Sequence, residues 1–278
     1  MEFWFTERQT EHLGITLRVR ESLLVEQTSF QHLAVLDTYQ YGRMLVLDGA
    51  IQTTEADEFV YHEMITHVPM TVHPKPQEVL VIGGGDGGTV REILKHPDLK
   101  HVRLVEVDDR VVAAARRFLP TLSQALDDPR VEVMITDGAE HVRAMRGVYD
   151  VIIVDSTDPV GPAVKLFQQD FYQAVHDALT AEGVFVTQSK SPYLDRELIR
   201  EVLGIVRSLF PVALPYTAAV PTYPSGLWSF VLGSKVNHPI KFDEGRAEKL
   251  KTRFYSPEVH RAAFVLPREI RGDLLPTE

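Results

Sequence analysis

Alternating apolar and polar positions mark the first sixty residues of this 278-residue chain. In the segment 14–20 every second residue is apolar, and the segments 32–38 and 43–49 follow with turn-forming residues between them. Period-2 alternation bounded by turns is typical of antiparallel strands. We therefore predict a small N-terminal β-domain over residues 1–60.

The pattern changes after this domain. Residues 57–71 read as a helix, and the segment 73–77, with its two prolines, ends it. From residue 78 onward, short runs rich in Val and Ile alternate with helical stretches; the runs are EVLVIG, HVRLVEVD, RVEVMITDG, YDVIIVDST and GVFVTQS. This alternation is typical of a parallel sheet covered by helices on both faces. We predict a Rossmann-type, mostly parallel α/β catalytic domain over residues 61–278.

Two elements of the second half carry more specific predictions. The segment 194–210 has the strongest helical periodicity, with one apolar stripe expected in the core: Leu194, Leu198, Val202, Ile205 and Leu209. The segment 227–235 reads as a last strand that pairs antiparallel to its neighbour at the edge of the sheet.

Composition and charge exclude several classes of function. The formal net charge of −10 disfavours nucleic acid and anionic membrane surfaces as partners. No apolar run approaches the length of a membrane span, and the N-terminus lacks the pattern of a signal peptide, so a cytoplasmic location is expected. Without cysteine, disulfides and thiolate chemistry are excluded. His62 and His67 are five residues apart and fall on different helix faces, so no metal site is predicted.

Acidic residues stand at the carboxyl ends of the first four predicted parallel strands, where open α/β sheets bind their ligands. They are Asp86, Glu106, Asp137 and Asp155, with Asp158 shortly after the last. Glu106 lies about 20 residues beyond the glycine-rich loop, from where an acid can accept hydrogen bonds from ribose hydroxyls. Asp137 and the backbone that follows could read an adenine edge. Together these positions indicate a ligand of the adenosine type.

The glycine-rich loop itself narrows the choice of ligand. Gly83, Gly85 and Gly88 satisfy the G-x-G-x-x-G spacing of dinucleotide sites, but Asp86 stands inside the loop and would repel a pyrophosphate. S-adenosylmethionine carries no phosphate, although its carboxylate would also meet Asp86. A decarboxylated donor, which keeps the sulfonium and the amine, removes this conflict. The residues alone leave both donors open.

The motifs GGGDGG, DSTDPVGPA and PTYPSG together resemble the spermidine synthase family of polyamine aminopropyltransferases, and the likeness runs from WFTERQTE to FVLP near residue 264. The resemblance implies a methyltransferase-like α/β domain behind a small β-domain, and a homodimer or homotetramer. It also implies transfer of aminopropyl from decarboxylated S-adenosylmethionine, a co-substrate, to a diamine, usually putrescine. No separate cofactor and no metal are implied.

Carried onto matching positions, the resemblance assigns the site residues. The methylthioadenosine part of the donor would contact Gln31, Glu106, Asp137, Gly138 and Pro162. Asp86 would hold the aminopropyl ammonium, with Gln52 and His62 nearby. The acceptor amine would lie among Tyr61, Asp155, Asp158, Gln188 and Tyr223, with Asp155 as the catalytic acid/base.

Lys190 departs from the family pattern, because many relatives carry an acid two positions after the glutamine at 188. A lysine facing the acceptor would oppose a second ammonium, so we expect its head to point to solvent instead. Alternative activities are aminopropyl transfer to agmatine, cadaverine or spermidine, methyl transfer from S-adenosylmethionine to a small molecule, and non-catalytic sensing of a nucleoside or polyamine.

Overall fold

Two β-sheets organise the chain in the computed structural model, which describes residues 2–157 and 161–275, with 161–163 described by their backbone alone. The first sheet is an antiparallel meander of five consecutive strands: β1 (Phe3–Arg8), β2 (Gly14–Gln27), β3 (His32–Thr38), β4 (Gly42–Leu47) and β5 (Ala50–Thr54). The predicted antiparallel sheet is confirmed. Strand β2 continues to Gln27, well past the predicted end at residue 20. Two register shifts against β3 break the alternation of apolar and polar residues, so the pattern did not indicate the second half of the strand.

The remaining elements build the second sheet and its helices. In chain order they are α1 (Glu58–Val72), β6 (Glu78–Gly83), α2 (Gly88–Ile93), β7 (His101–Glu106), α3 (Asp109–Phe118), α4 (Pro120–Ser123), β8 (Val131–Ile135), α5 (Gly138–Arg143), β9 (Tyr149–Asp155), α6 (Gln169–Ala178), β10 (Leu179–Gln188), α7 (Arg196–Leu209), β11 (Val212–Ala219), β12 (Leu227–Ser234), α8 (Glu244–Ala247), α9 (Pro257–Ala263) and α10 (Arg268–Leu274). Short 3-10 helices cover Gln124–Asp127 and Gly161–Phe167.

The second sheet has seven strands in the order β11-β12-β10-β9-β6-β7-β8, and the five strands from β10 to β8 are parallel. Alternate residues of its central strands enter two separate cores. Val79 and Val81 pack on the side of α1, whereas Leu80 and Ile82 pack on the side of α5, α6 and α7. Burial on both faces explains the nearly continuous apolar runs in the sequence. The predicted α/β sheet with helices on both faces is confirmed.

Two predictions about the second half need correction. Strand β12 pairs antiparallel, as predicted, but it lies between β10 and β11 and not at the edge. The strand at this edge is β11, which the sequence analysis did not predict because Pro215 interrupts its apolar pattern. An edge strand can accommodate a proline that a central strand could not.

The predicted buried stripe of α7 is also displaced. The residues that are buried are Ile199, Val202, Leu203 and Val206, whereas Leu198, Ile205 and Leu209 are only partly buried and Leu194 is exposed, before the helix begins. Two overlapping rows of apolar residues both fit helical spacing, and packing against β12 and α10 selects between them.

A buried carboxylate, Asp57, connects segments from both parts of the chain. Asp57 accepts hydrogen bonds from the Thr54 hydroxyl at 2.6 Å and from the backbone N–H and hydroxyl of Thr222 at 2.9 and 2.7 Å. The end of the first sheet, the start of α1 and the loop before β12 are thereby joined. Within the described residues, no helix is both long enough and apolar enough to cross a membrane.

Candidate functional site

The glycine-rich loop after β6 lies directly against the end of β9. The Gly84 N–H donates to the Asp155 carbonyl at 2.9 Å. Gly83 adopts a φ of +83°, and a Cβ there would stand 2.2 Å from the same carbonyl oxygen. Both the left-handed backbone and the close approach require glycine at this position. The end of β9, and with it Asp155, is thus held against the glycine-rich loop.

Replacing Gly83 with alanine should lower the free energy of unfolding by more than about 2 kcal/mol, because a positive φ and a steric clash act together. The matched control is Gly147→Ala, since Gly147 has a φ of +62° with open space around its would-be Cβ. That variant should cost only about 1 kcal/mol. Equal losses in thermal or denaturant unfolding would show that Asp155 does not constrain the loop.

A cavity of about 270 Å³ opens where the carboxyl ends of the parallel strands meet the first sheet. It brings together eleven of the residues singled out in the sequence: Gln31, Gln52, Tyr61, His62, Asp86, Glu106, Asp137, Gly138, Asp155, Gln188 and Tyr223. Asp158 lies outside the described residues, and the side chain of Pro162 is likewise not described. Among the described residues, no cluster of three or more His, Asp or Glu side chains could hold a metal ion.

Both carboxylate oxygens of Asp155 are held by hydroxyl groups. The Tyr61 hydroxyl donates to Oδ1 at 2.7 Å, and the Thr89 hydroxyl donates to Oδ2 at 2.6 Å. Burial raises the pKa of Asp155 above its usual value; the charge of His62 opposes this rise, and the charge of Asp86 adds to it. Burial and Asp155 in turn raise the pKa of Tyr61, so its phenol keeps its proton. Asp155 is therefore a fixed carboxylate with increased affinity for a proton.

Asp86 lies beside a buried histidine. Its Oδ1 accepts the Gly88 N–H at 2.6 Å and stands 3.5 Å from Nε2 of His62. Nδ1 of His62 is 2.6 Å from Glu58 Oε2. The inner end of the cavity is therefore strongly acidic, with one imidazole placed between two carboxylates.

Two further acids line the cavity: Glu106, next to Gly85 of the glycine-rich loop, and Asp137, before α5. Glu106 accepts the N–H groups of Val107 and Asp108 at 2.8 and 3.1 Å, and burial raises its pKa to about 7. Asp137 caps α5. Burial alone would raise the pKa of Asp137, but hydrogen bonds from Ala139 and Glu140 and the ammonium of Lys165 bring it below its usual value. Hydroxyl and amine donors of a nucleoside are suitable partners for these two carboxylates.

Aromatic side chains line the cavity between Gln52 and Asp155. The Tyr223 hydroxyl donates to the Gln52 carbonyl at 2.5 Å, and the Tyr223 ring packs edge-on against Tyr61 and Trp228. The Gln188 amide donates to the Ser156 carbonyl at 3.1 Å, which supports the segment after β9. The Tyr223 ring is thus held next to Tyr61, whose hydroxyl donates to Asp155.

Glu7 and Trp228 are among the lining residues that the sequence-based assignment missed. Glu7 of β1 is buried at the cavity, where its Oε2 accepts the Ile51 N–H at 2.8 Å, and Trp228 of β12 lines the same wall. Neither stands at the carboxyl end of a predicted parallel strand or in the glycine-rich loop, which are the two places where the sequence indicates a ligand site. Glu7 reaches the cavity because the first sheet packs against α3, beside the carboxyl ends of the parallel strands.

The expectation that Lys190 points to solvent is wrong. Its side chain is only 13% exposed, and Nζ lies 3.0 Å from Asp195 Oδ1. Lys190 is not among the described residues that line the cavity. Its backbone turns at a φ of +63°, and the Lys190 N–H donates to the Gln188 side chain. The ion pair with Asp195 thus holds the ammonium of Lys190 against the segment before α7.

The chain matches two family models. Residues 58–244 match the spermine/spermidine synthase domain, and residues 3–55 match the spermidine synthase tetramerisation domain. Polyamine aminopropyltransferases of Caldicellulosiruptor bescii and Thermoanaerobacter pseudethanolicus are 54% identical over 267 residues and 52% identical over 271 residues. The alignments cover 96% and 98% of this chain, and the same shares of the relatives.

Solved structures show the same similarity in three dimensions. A spermidine synthase in complex with the transition-state analogue AdoDATO superposes with a TM-score of 0.96 at 41% identity. The spermidine synthase of Thermotoga maritima gives 0.93 at 40% identity, and each alignment covers 98% of this chain and 94% of the other. The methyltransferase-like fold with a small antiparallel N-terminal domain is thereby confirmed. The chain belongs to the spermine/spermidine synthase family of polyamine aminopropyltransferases.

Proposed function

We propose that the protein transfers the aminopropyl group of decarboxylated S-adenosylmethionine to putrescine, giving spermidine and 5′-methylthioadenosine. The nitrogen lone pair of the acceptor attacks the carbon next to the sulfonium. The carbon–sulfur bond breaks with its electron pair going to sulfur, which leaves as a neutral thioether. An ammonium with a pKa of about 10.4 has no lone pair at neutral pH, so the enzyme must first remove a proton.

The observation that carries this proposal is the environment of Asp155. It is buried at the cavity, its two oxygens are oriented by Tyr61 and Thr89, and its pKa is raised by burial. A carboxylate with a raised pKa is a stronger base than one in water. Asp155 is therefore the acid/base residue in our proposal, accepting the proton of the acceptor amine as the amine attacks.

The acids that line the cavity bind different parts of the donor in our proposal. Glu106 accepts hydrogen bonds from the ribose hydroxyls, and Asp137 with Gly138 recognises the adenine. Gln31 and Pro162 lie beside the methylthioadenosine part. Asp86 holds the aminopropyl ammonium, near Gln52 and His62. The alternative donor S-adenosylmethionine would bring its carboxylate to Asp86, which disfavours methyl transfer.

The acceptor amine lies on the other side of Asp155. We assign its contacts to Tyr61, His62, Asp86, Asp155, Asp158, Gln188 and Tyr223. Two cationic substrates repel each other in water, and a cavity with this many carboxylates offsets that repulsion while holding the reacting atoms in line. The names of the relatives support a polyamine as acceptor.

We also propose a homo-oligomer, either a dimer or a tetramer. The match of residues 3–55 to a tetramerisation domain supports this assembly. Light scattering of the purified protein over a range of concentrations distinguishes the two forms, and a monomer at micromolar concentration would contradict both.

A panel of amines tests the acceptor. Purified protein is given decarboxylated S-adenosylmethionine with putrescine, cadaverine, agmatine or spermidine, and initial rates are followed by mass spectrometry. Putrescine should give the highest kcat/KM. A higher kcat/KM with another amine would show that this amine is the preferred acceptor, while the proposed aminopropyl transfer would stand. A methylated product formed from S-adenosylmethionine would support the methyltransferase alternative.

A further inference from the structure

A buried ion pair lies behind the acidic end of the cavity. Arg91 of α2 donates from both terminal nitrogens to Glu58 of α1, at 3.0 Å to Oε1 and 2.8 Å to Oε2. The Glu58 side chain is 4% exposed. Burial alone would raise the pKa of Glu58, but hydrogen bonds and charges from His62 and Arg91 bring it down to about 2. Glu58 is thus a permanent carboxylate at physiological pH.

This carboxylate fixes the ring of His62. Glu58 can only accept, so Nδ1 of His62, 2.6 Å from Oε2, must carry a hydrogen. The ring is also held sterically, because a Cβ at Gly88 would lie 2.2 Å from its Cε1. Nε2 is therefore the nitrogen directed at Asp86, and it is the position where the proton of the imidazolium is gained or lost.

The charges around His62 favour the protonated ring in the free enzyme. Glu58 faces it from α1, Asp86 from the glycine-rich loop and Asp155 from β9, while Arg91 of α2 stands behind Glu58 and the Tyr61 ring packs edge-on. Burial alone would lower the pKa of His62, but Asp86 and Glu58 raise it well above its usual value. Nε2 then carries a proton toward Asp86.

A cationic donor would compete with that proton. Under the proposed function, on which this inference rests, the aminopropyl ammonium binds at Asp86, a few ångströms from Nε2. The ammonium and the imidazolium would repel each other strongly at this separation in a buried site, so the group that loses its charge more readily should give up a proton. The ammonium is part of a bound substrate, whereas the imidazolium proton can pass to solvent.

We propose that Glu58, held by Arg91, is a positioning residue that keeps His62 protonated at Nε2 in the free enzyme, and that the donor ammonium replaces this proton at Asp86. The Nε2–H bond breaks and the proton goes to solvent. The neutral ring then presents the Nε2 lone pair to the ammonium, while Nδ1–H stays on Glu58. The charge of the ammonium thus takes the place of the imidazolium charge beside Asp86.

Calorimetry of donor binding in two buffers with different protonation enthalpies measures the protons released. Methylthioadenosine is the matched ligand, because it lacks the ammonium but occupies the same nucleoside site, including Glu106. The donor should release about one proton more than methylthioadenosine at neutral pH, since one ring nitrogen titrates. Equal release by the two ligands would overturn the proposal. A donor that does not bind at all would instead contradict the proposed function.

Variants locate the source of the proton. In Glu58→Gln the amide oxygen can still accept from Nδ1 but carries no charge, so the extra release should fall below about half of the wild-type value. Asp155→Asn should keep it. The matched control is Glu132→Gln, which removes a surface carboxylate paired with Arg103 outside the cavity lining. Loss of the extra proton in Asp155→Asn, with retention in Glu58→Gln, would assign it to Asp155 and contradict our proposal.

Discussion

Asp155→Asn should lower kcat by roughly 1,000-fold, within the usual range for loss of a general base. Asparagine has nearly the same shape, and its carbonyl oxygen can still accept from the Tyr61 hydroxyl. It cannot take a proton from the acceptor amine. Methylthioadenosine should therefore bind with nearly unchanged affinity, and the loss should appear in steady-state kinetics with saturating donor and putrescine.

Asp150→Asn is the matched control, at the opposite end of the same strand. Asp150 accepts the backbone N–H groups of Gln77 and Glu78 at 2.8 and 3.1 Å, outside the cavity lining. Its loss should cost about 1 kcal/mol of stability and leave kcat nearly unchanged. Near-normal kcat in Asp155→Asn would remove this residue from the catalytic role.

Replacing Asp86 should weaken the donor selectively. The carboxylate is expected to hold the aminopropyl ammonium, and a charged hydrogen bond of about 1.5–3 kcal/mol corresponds to roughly a 10- to 150-fold loss of affinity. Methylthioadenosine has no ammonium and should lose little. The measurement is calorimetry with both ligands on Asp86→Ala.

Asp86→Asn separates charge from loop structure. Oδ1 of Asp86 also accepts the Gly88 N–H, which alanine cannot do but asparagine can. If charge is decisive, the asparagine and alanine variants should lose similar affinity for the donor. Equal losses for donor and methylthioadenosine in both variants would show that Asp86 supports the loop and does not bind the ammonium.

The sheet and its acidic rim could be predicted because their signals are local. Val- and Ile-rich runs mark strands buried on both faces, and parallel strands bring their carboxyl ends to one edge. From this alone, Asp86, Glu106, Asp137 and Asp155 are expected together, and the structure places all four on one cavity. The identity of their ligand could be inferred only from the resemblance to a known family, because the positions of the four acids are compatible with more than one donor.

The features that could not be predicted from the sequence depend on packing between segments that are far apart along the chain. Glu58 and Arg91 are 33 positions apart, and only the contact of α1 with α2 makes them a pair. Glu7 reaches the cavity because the first sheet packs against α3. The prediction for Lys190 failed for a similar reason, since its partner Asp195 lies in the turn before α7 and no periodicity marks the contact.

The central claim is aminopropyl transfer in a cavity built for two cations, and product stoichiometry tests it most directly. Purified protein is incubated with decarboxylated S-adenosylmethionine and putrescine, and both products are quantified by mass spectrometry over time. We expect spermidine and methylthioadenosine to accumulate in equal amounts, with neither formed by Asp155→Asn above a small residual rate. Methylthioadenosine formed without an aminopropylated amine, or no turnover of the donor at all, would contradict the proposed function.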